Sequence, residues 1–120
     1  MYDKSRDSNY FNNLSKDHFP ELLGIKITHV EQGKMNGEMP VKMEYFAPNG
    51  FLHAGSIVTF ADTIAGYSSM AHLPEKGQSF TTLEFKSNFV RAIREGTLKC
   101  ECIAEHLGRT TQVWRVVVVI

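Results

Sequence analysis

Residues 53–70 read HAGSIVTFADTIAGYSSM, and this stretch decides the fold. It is too long for a typical strand and is apolar nearly all round, which is typical of a helix buried on every side. Asp62 is the only charged side chain between Ala54 and Ala71. A carboxylate in apolar surroundings is unfavourable unless it is paired, hydrogen-bonded or protonated, so carboxylates of this kind cluster at functional sites. Asp62 is therefore a candidate catalytic residue; the alternative is that it faces water or caps a helix start.

The sequence on both sides of this helix predicts antiparallel strands. Alternation of apolar and polar residues predicts a hairpin of two strands before the helix, and the same signal with β-branched residues predicts three strands after it. The five strands are expected at residues 25–30, 35–45, 80–90, 98–106 and 110–120. Pro74 and Gly77 are expected to end the helix. This order predicts an α+β fold in which an antiparallel sheet wraps one long central helix.

The N-terminal part of the chain carries weaker signals. Residues 1–13 are expected to be a flexible segment, frayed or partly helical over 1–12. Residues 14–23 are expected to form a short helix with Phe19, Leu22 and Leu23 on its apolar side. At 120 residues the chain is expected to form a single domain, 1–120.

Composition excludes several function classes. The net charge is zero and no basic stripe is present, so nucleic acid is not an expected partner. No apolar signal segment and no uninterrupted apolar span is present, so we expect a cytoplasmic protein without membrane contact. Cys100 and Cys102 alternate along a predicted strand and share one face, which predicts buried free thiols in a reducing compartment. The histidines lack metal-ligand spacing, and no metal or resident cofactor is expected.

Three short motifs carry a family resemblance. Gly50, His53, Gly55 and Asp62 stand at the spacing of a turn that enters a helix, with the acid nine positions after the histidine. The second motif runs from Thr82 through Asn-Phe-Val-Arg at 88–91 to a glycine at position 96, and the third is the Gly-Arg-Thr turn at 108–110. In this order they resemble the hotdog-fold acyl-CoA thioesterases, most closely the phenylacetyl-CoA thioesterase-like branch. The resemblance spans about residues 20–120.

The resemblance implies roles for the residues of the turn and the helix. Asp62 would act from a neighbouring subunit's helix, as general base on water or as nucleophile. The amides of Ala54 and Gly55, at the helix start, would form the oxyanion hole. Thr82 would hold the water or the acid. His53 would fix the turn by hydrogen bonding to the backbone, with general-base catalysis as the alternative.

Further residues are implied in binding. Arg91 and Arg109 become candidates for the phosphates of coenzyme A, with Gly108 and Thr110 beside them, although a bare Gly-Arg-Thr turn is also an ordinary hairpin turn. Phe51 and Tyr67 would line the acyl pocket, or belong to the core.

Three departures from the family pattern stand out. The family's asparagine six residues before the histidine is Ala47 here, and Asn49 is the candidate replacement. The residue after the histidine, usually glycine, is Ala54. Many members also continue into one more strand after the position of Ile120, so either this sheet is shorter or the natural chain runs on.

The predicted function is hydrolysis of a small aryl-CoA, or of a short- or medium-chain acyl-CoA, to free acid and coenzyme A, with coenzyme A as part of the substrate. The alternative is a non-hydrolytic module that binds acyl-CoA or an acyl carrier. A dehydratase would need a His–Asp or His–Glu dyad elsewhere, and none is seen. A short sheet around a fully apolar helix leaves sheet edges and an apolar face exposed. A homodimer or a dimer of dimers, which would cover them, is therefore expected.

Overall fold

The computed structural model describes residues 1–74 and 79–120. These residues form three α-helices: α1 (Ser8–Leu14), α2 (Phe19–Leu22) and α3 (Ala54–Ala71). A 3₁₀ turn covers Met43–Tyr45. Four strands complete the described fold: β1 (Lys26–Glu31), β2 (Lys34–Pro40), β3 (Thr97–Leu107) and β4 (Gln112–Val119). The α+β class predicted from the sequence is confirmed.

The four strands form one antiparallel sheet in the order β1-β2-β3-β4. In β2 and the first half of β3, every second side chain is buried, as expected for a sheet with one face on a core. That face packs on α3, and the close approach depends on Gly37 of β2. A Cβ atom at Gly37 would lie 2.5 Å from Cδ1 of Ile64 and 3.0 Å from the carbonyl oxygen of Lys26. Gly37 therefore leaves the space that the Ile64 side chain of α3 occupies.

Helix α3 agrees within one residue at each end with the helix predicted over 53–70. His53 is the N-cap residue, and the helix ends at Ala71, three residues before Pro74. The predicted terminating residue Gly77 lies outside the described residues. The buried side of the helix includes Phe60 and Ile64, both with no exposed surface. No helix among the described residues has the length and apolar character needed to cross a membrane.

The N-terminal residues are partly helical, one of the two alternatives that the sequence left open, and this helix packs on the core. Instead of a flexible segment at 1–13, α1 starts after Asp7, whose carboxylate accepts a hydrogen bond from the Tyr10 N–H at 2.9 Å. Its residue Phe11 is completely buried and stacks on Tyr67, with ring centroids 4.9 Å apart. The helix predicted over 14–23 is reduced to the single turn of α2, because Pro20 lies at its start and Gly24, with φ +70°, follows it closely.

Two predicted strands differ from the structure. The strand predicted over 35–45 ends at Pro40, because its partner β3 begins at Thr97, directly after Gly96, which has a φ of +104°. The 3₁₀ turn that follows buries Tyr45 and leaves Met43 exposed.

The strand predicted over 80–90 is not formed. Residues 79–94 have neither helical nor strand pairing, and the groove described below separates them from the edge of β4. The remaining predicted strands, 25–30, 98–106 and 110–120, agree with β1, β3 and β4.

Candidate active site

A groove of about 1470 Å³ opens beside α3. Its walls are the exposed side of α3, the segment at 79–91, and β4 with the turn that precedes it. The α3 residues that line it include Val58, Asp62, Ala65 and Ser69. These follow one another at intervals of three and four residues, so they share one face of the helix. α3 is therefore not buried on every side, and its lone carboxylate lies on the side that faces the groove.

Asp62 is half-buried and receives one hydrogen bond from the segment across the groove. The Thr82 hydroxyl donates to Oδ1 of Asp62 at 3.3 Å. The structure thus brings together two predicted site residues that are twenty positions apart in the chain. A carboxylate held through one oxygen keeps its second oxygen, Oδ2, available to accept a proton or to attack a carbonyl carbon.

Four further predicted residues line the same groove. Arg91 lies on the segment at 79–91, and Gly108, Arg109 and Thr110 form the turn between β3 and β4. The Gly108 N–H donates to the Thr111 carbonyl oxygen at 2.9 Å, which closes this turn. Arg91 and Arg109 are both exposed, so the groove carries two guanidinium groups that solvent can reach.

The residues of the predicted oxyanion hole lie at the start of α3, outside the groove lining. The Gly55 N–H donates to Nδ1 of His53 at 2.8 Å, so the hydrogen bond predicted between the His53 ring and the backbone is present. In the neutral ring, this bond places the proton on Nε2. The described residues provide no hydrogen-bond acceptor for the Ala54 N–H. Ala54 therefore offers the free donor, whereas the amide of Gly55 is occupied.

Asn49 serves the turn that leads into α3. Its side-chain oxygen accepts a hydrogen bond from the Phe51 N–H at 3.2 Å, and the side chain is exposed. The ring of Phe51 lies under the guanidinium of Arg94, with Cζ 5.0 Å from the ring centroid. The structure thus groups Asn49, Phe51, His53 and Ala54 around the helix start, together with a third arginine that the sequence did not suggest.

Tyr67 faces a different part of the molecule. Its hydroxyl lies 2.6 Å from the hydroxyl of Ser15, and its ring stacks on Phe11 of α1. These contacts hold Tyr67 against the N-terminal residues, and it is not among the residues that line the groove. Of the two readings of Tyr67 from the sequence, the packing favours a structural residue over an acyl-pocket residue.

Apart from Tyr67, the predicted site residues therefore form two groups, one around the start of α3 and one around Asp62 in the groove. Ala54 and Asp62 are eight residues apart on α3, which corresponds to about 12 Å along the helix axis at 1.5 Å per residue. One group supplies a free amide at the helix start, and the other supplies a carboxylate in the groove.

Two residues that border the groove have no counterpart in the sequence-based prediction. Phe80 lies on the segment at 79–91, and Gly66 lies one helical turn after Asp62. A Cβ atom at Gly66 would be 2.9 Å from Cζ of Phe80, so the ring rests directly on the glycine. The helical spacing of Asp62 and Gly66 was visible in the sequence, whereas the approach of Phe80 was not.

The positions of the His, Cys, Asp and Glu side chains can be compared with those of metal and thiol sites within the described residues. No group of three or more His, Cys, Asp or Glu side chains in 1–74 and 79–120 is placed to hold a metal ion. Cys100 and Cys102 are free and buried, as predicted, and burial raises the pKa of Cys100 to about 12 and that of Cys102 to about 11. Both thiols lie on the core face of β3, and neither lines the groove.

Comparison with known proteins agrees with this architecture. The family model described as the thioesterase superfamily matches residues 49–120, which is more than half of the chain. The proofreading thioesterase EntH of Klebsiella pneumoniae is 34% identical over 96 residues, which cover 80% of this chain and 69% of that protein. The 1,4-dihydroxy-2-naphthoyl-CoA hydrolase of Escherichia coli is 32% identical over 106 residues, covering 88% and 76% of the two chains.

Solved structures show the same fold. A mutant of the thioesterase PA1618 from Pseudomonas aeruginosa superimposes with a TM-score of 0.91 at 28% identity, over 99% of this chain and 86% of that one. The Escherichia coli PaaI protein, from the phenylacetic acid degradation operon, has a TM-score of 0.80 at 23% identity, over 92% and 78%. The predicted family and fold are both confirmed: the chain belongs to the thioesterase superfamily, and it is a thioester hydrolase with the hotdog fold.

Proposed function

We propose that the protein hydrolyses acyl-CoA thioesters, of a small aryl acid or of a short- or medium-chain acid, to the free acid and coenzyme A. The observation that supports this best is the Asp62–Thr82 hydrogen bond beside an open groove. The relative in Escherichia coli is named as the hydrolase of an aromatic acyl-CoA, which favours a substrate of this class. Membership of the thioesterase superfamily supports cleavage of a thioester bond. The two exposed arginines of the groove, Arg91 and Arg109, support binding of the coenzyme A phosphates.

In the proposed reaction, Asp62 activates the attacking group. As general base, its free Oδ2 takes a proton from a water molecule while the water oxygen bonds to the thioester carbonyl carbon. The tetrahedral intermediate then expels the coenzyme A thiolate, which takes the proton back from the Asp62 carboxyl group as the C–S bond breaks. As nucleophile, Oδ2 bonds to the carbonyl carbon and expels the thiolate, and water then hydrolyses the resulting anhydride. In both routes, Thr82 fixes the carboxylate through Oδ1.

The developing oxyanion is stabilised at the start of α3. Unpaired N–H groups and the helix dipole favour negative charge there. The Ala54 N–H is the donor that is already free, and the Gly55 N–H joins it only if the His53 ring turns away from its present hydrogen bond. Donors of this kind are typically worth about 2.7–4 kcal/mol in the barrier. Arg91 and Arg109, with the turn at Gly108 and Thr110, bind the coenzyme A phosphates in this proposal.

A complete site needs two copies of the chain. The attacking water and the oxyanion donors must lie about 3 Å from the two ends of one carbonyl group. Within one chain, Ala54 and Asp62 are about 12 Å apart along the helix, and a rigid helix cannot shorten that distance. A homodimer with a twofold axis can place the start of one α3 beside Asp62 of the other copy, and it repeats the arrangement at a second site. The function proposed here therefore includes a dimer, alone or as half of a dimer of dimers.

The role of Asp62 is tested by thiol release from a panel of aryl, short-chain and medium-chain acyl-CoA substrates. Asp62→Asn keeps the size of the side chain and is expected to lower kcat by at least about 10³-fold, since it removes both the base and the nucleophile. Asp17→Asn is the matched control, because Asp17 is exposed and asparagine tolerates its positive φ of 66°. Unchanged hydrolysis by Asp62→Asn contradicts the proposal.

The alternative function rests on Ala47, which stands where the family carries an asparagine. A chain that binds acyl-CoA, by calorimetry, but releases no thiol from any of these substrates is a binding module. In that outcome, Asp62→Asn has no turnover to lower, and the property that it can alter is the affinity for acyl-CoA.

The shared site is tested by mixing two inactive variants. Ala54→Pro removes the free N–H at the first helical position, where proline is well tolerated, and His53 already has the extended backbone that precedes proline (φ −63°, ψ 130°). When Ala54→Pro and Asp62→Asn chains are unfolded, mixed and refolded together, half of the dimers are mixed, and each has one intact site. About a quarter of the wild-type activity is then expected. No recovery, or a monomer by light scattering, rules out the shared site.

A further inference from the structure

The segment at 79–91 is held to α3 by two contacts that follow each other. The Thr82 hydroxyl donates to Asp62, and this is the only hydrogen bond that the described residues provide for any group between Ser79 and Arg91. The second contact is the Phe80 ring on Gly66. The next hydrogen bond along the chain joins the Ile93 carbonyl oxygen to the Leu52 N–H at 2.8 Å, eleven residues after Thr82. Among the hydrogen bonds of the described residues, Thr82 is therefore held by the bond to Asp62 alone, and the Phe80 ring adds a packing contact two residues away.

The ring contact depends on the absence of a side chain at position 66. An added Cβ would lie 2.9 Å from Cζ and 3.4 Å from Cε2 of Phe80, so even alanine would push the ring away from the helix. Gly66 is in the middle of α3, where glycine is less favourable than alanine by roughly 0.5–1 kcal/mol. A glycine in this position lowers helix stability, and the space that it leaves is filled by one aromatic ring.

The two contacts have matching spacing on the helix and on the segment. Asp62 and Gly66 are four residues apart, which is about 6 Å along a helix. Thr82 and Phe80 are two residues apart, a separation that spans at most about 7 Å of chain. Both side chains contact α3, so both point to the helix side of the segment. When Phe80 rests on Gly66, Thr82 is therefore placed opposite Asp62.

We propose that Phe80 and Gly66 are positioning residues for the reaction: the ring on the glycine sets the register of the segment and so holds the Thr82 hydroxyl on the Asp62 carboxylate. This inference rests on the proposed function, in which that carboxylate activates water or attacks the thioester. Phe80 and Gly66 act through Thr82, and their loss affects the turnover step more than substrate binding.

The test is a double-mutant cycle in thiol-release kinetics. Phe80→Ala is expected to lower kcat by about tenfold with KM changed less than about threefold, since misplacing a catalytic group by a fraction of an ångström costs that much. In a Thr82→Val chain, which has no hydroxyl to position, the same change is expected to cost less than about twofold. Equal losses in both backgrounds overturn the proposal, because they show that Phe80 does not act through Thr82.

Gly66 is tested by rescue. Gly66→Ala is expected to lower kcat about as much as Phe80→Ala, and Gly66→Ala with Phe80→Leu is expected to recover most of the loss, because a shorter side chain makes room for the added methyl group. A double variant no more active than Gly66→Ala contradicts the packing argument. If Phe80→Ala does not fold, as judged by circular dichroism, Phe80→Leu replaces it in the cycle because it keeps more apolar surface.

The control variant is Met43→Ala, since Met43 is a large apolar residue that is 80% exposed and lies outside the groove lining. It is expected to leave kcat unchanged. The outcomes separate the two proposals: an active Asp62→Asn chain contradicts the proposed function, whereas an inactive Asp62→Asn chain with additive Phe80 and Thr82 effects contradicts only the positioning role.

Discussion

Nε2 of His72 accepts a hydrogen bond from the Gly33 N–H at 2.8 Å, which joins the end of α3 to the turn between β1 and β2. On the other side of the ring, Nδ1 lies 2.7 Å from the Ser68 carbonyl oxygen. The carbonyl can only accept and the N–H can only donate, so the buried ring is neutral with its proton on Nδ1. Tyr2 and Trp114 pack on the ring, with centroids 5.1 and 4.9 Å away.

This relationship predicts that stability falls in mild acid. Burial lowers the pKa of His72 below its ordinary value of 6.5, although the bond to Ser68 opposes this, and the charge of the N-terminal ammonium lowers the pKa further. The unfolded chain then binds a proton that the folded chain excludes. The contribution of His72 is complete above about pH 6.5 and is lost as the pH falls below that value.

The measurement is urea unfolding at pH 7.5 and pH 5.5. The free energy of unfolding of wild type is expected to fall more between these values than that of His72→Gln, which cannot be protonated. The exposed His18→Gln chain serves as the control and should keep the wild-type dependence. Equal pH dependence of wild type and His72→Gln would show that the ring does not titrate differently on folding.

Thr82 is expected to affect turnover through its hydroxyl alone. Thr82→Val has the same shape without the donor, and hydrogen bonds to charged groups are worth about 1.5–3 kcal/mol, so kcat should fall about 10- to 100-fold. Thr82→Ser keeps the hydroxyl and should remain within about threefold of wild type. The comparison is made by steady-state thiol release, and a serine variant as impaired as the valine variant would exclude the hydroxyl as the cause.

Gly37 is expected to be sensitive to any side chain. Gly37→Ala places a methyl group where Cδ1 of the fully buried Ile64 lies, with the Lys26 carbonyl oxygen on the other side. Overpacking of this kind costs about 1–3 kcal/mol, measured as a lower free energy of unfolding in urea. Ile64→Val removes that Cδ1, so Gly37→Ala with Ile64→Val should be more stable than the sum of the two single effects predicts.

The two cysteines are expected to be unreactive in the folded protein. The raised pKa values of Cys100 and Cys102 leave almost no thiolate at pH 8, and only the thiolate attacks a disulfide reagent. With Ellman's reagent, the native chain should react over hours, and the chain in denaturant should release two equivalents within minutes. Rapid release from the native chain would show that β3 opens in solution.

Sequence patterns predicted two kinds of element: a helix, which forms its hydrogen bonds within itself, and strands that pair with the next strand along the chain. The long apolar stretch predicted α3 because a helix forms its own hydrogen bonds. The alternation around residues 98–106 and 110–120 predicted β3 and β4, which pair with each other across a short turn. For the first residues, the sequence left a frayed and a partly helical segment open, and the structure forms α1 with Asp7 as its N-cap.

The strand predicted over 80–90 shows the limit of these patterns. The segment has the composition of a strand, but a strand also needs a neighbouring backbone, and the groove lies between this segment and β4. For the site, the family motifs indicated Asp62 and Thr82, which the structure brings into contact. The contact of Phe80 with Gly66 depends on how two distant parts of the chain approach each other, and no spacing in the sequence encodes it.

Because the free amide of Ala54 and the Asp62 carboxylate belong to the same uninterrupted helix α3, the number of residues between them is itself constrained. One residue inserted between Gly55 and Asp62 would turn the carboxylate by about 100° around the helix axis and move it by about 1.5 Å, away from Thr82 and from the groove. Conservative substitutions on the buried side of this part of α3 change the volume of a side chain, but they leave the direction of the Asp62 carboxylate around the helix axis unchanged. Natural variation in this part of α3 should therefore consist of substitutions, with insertions and deletions confined to the loops on either side.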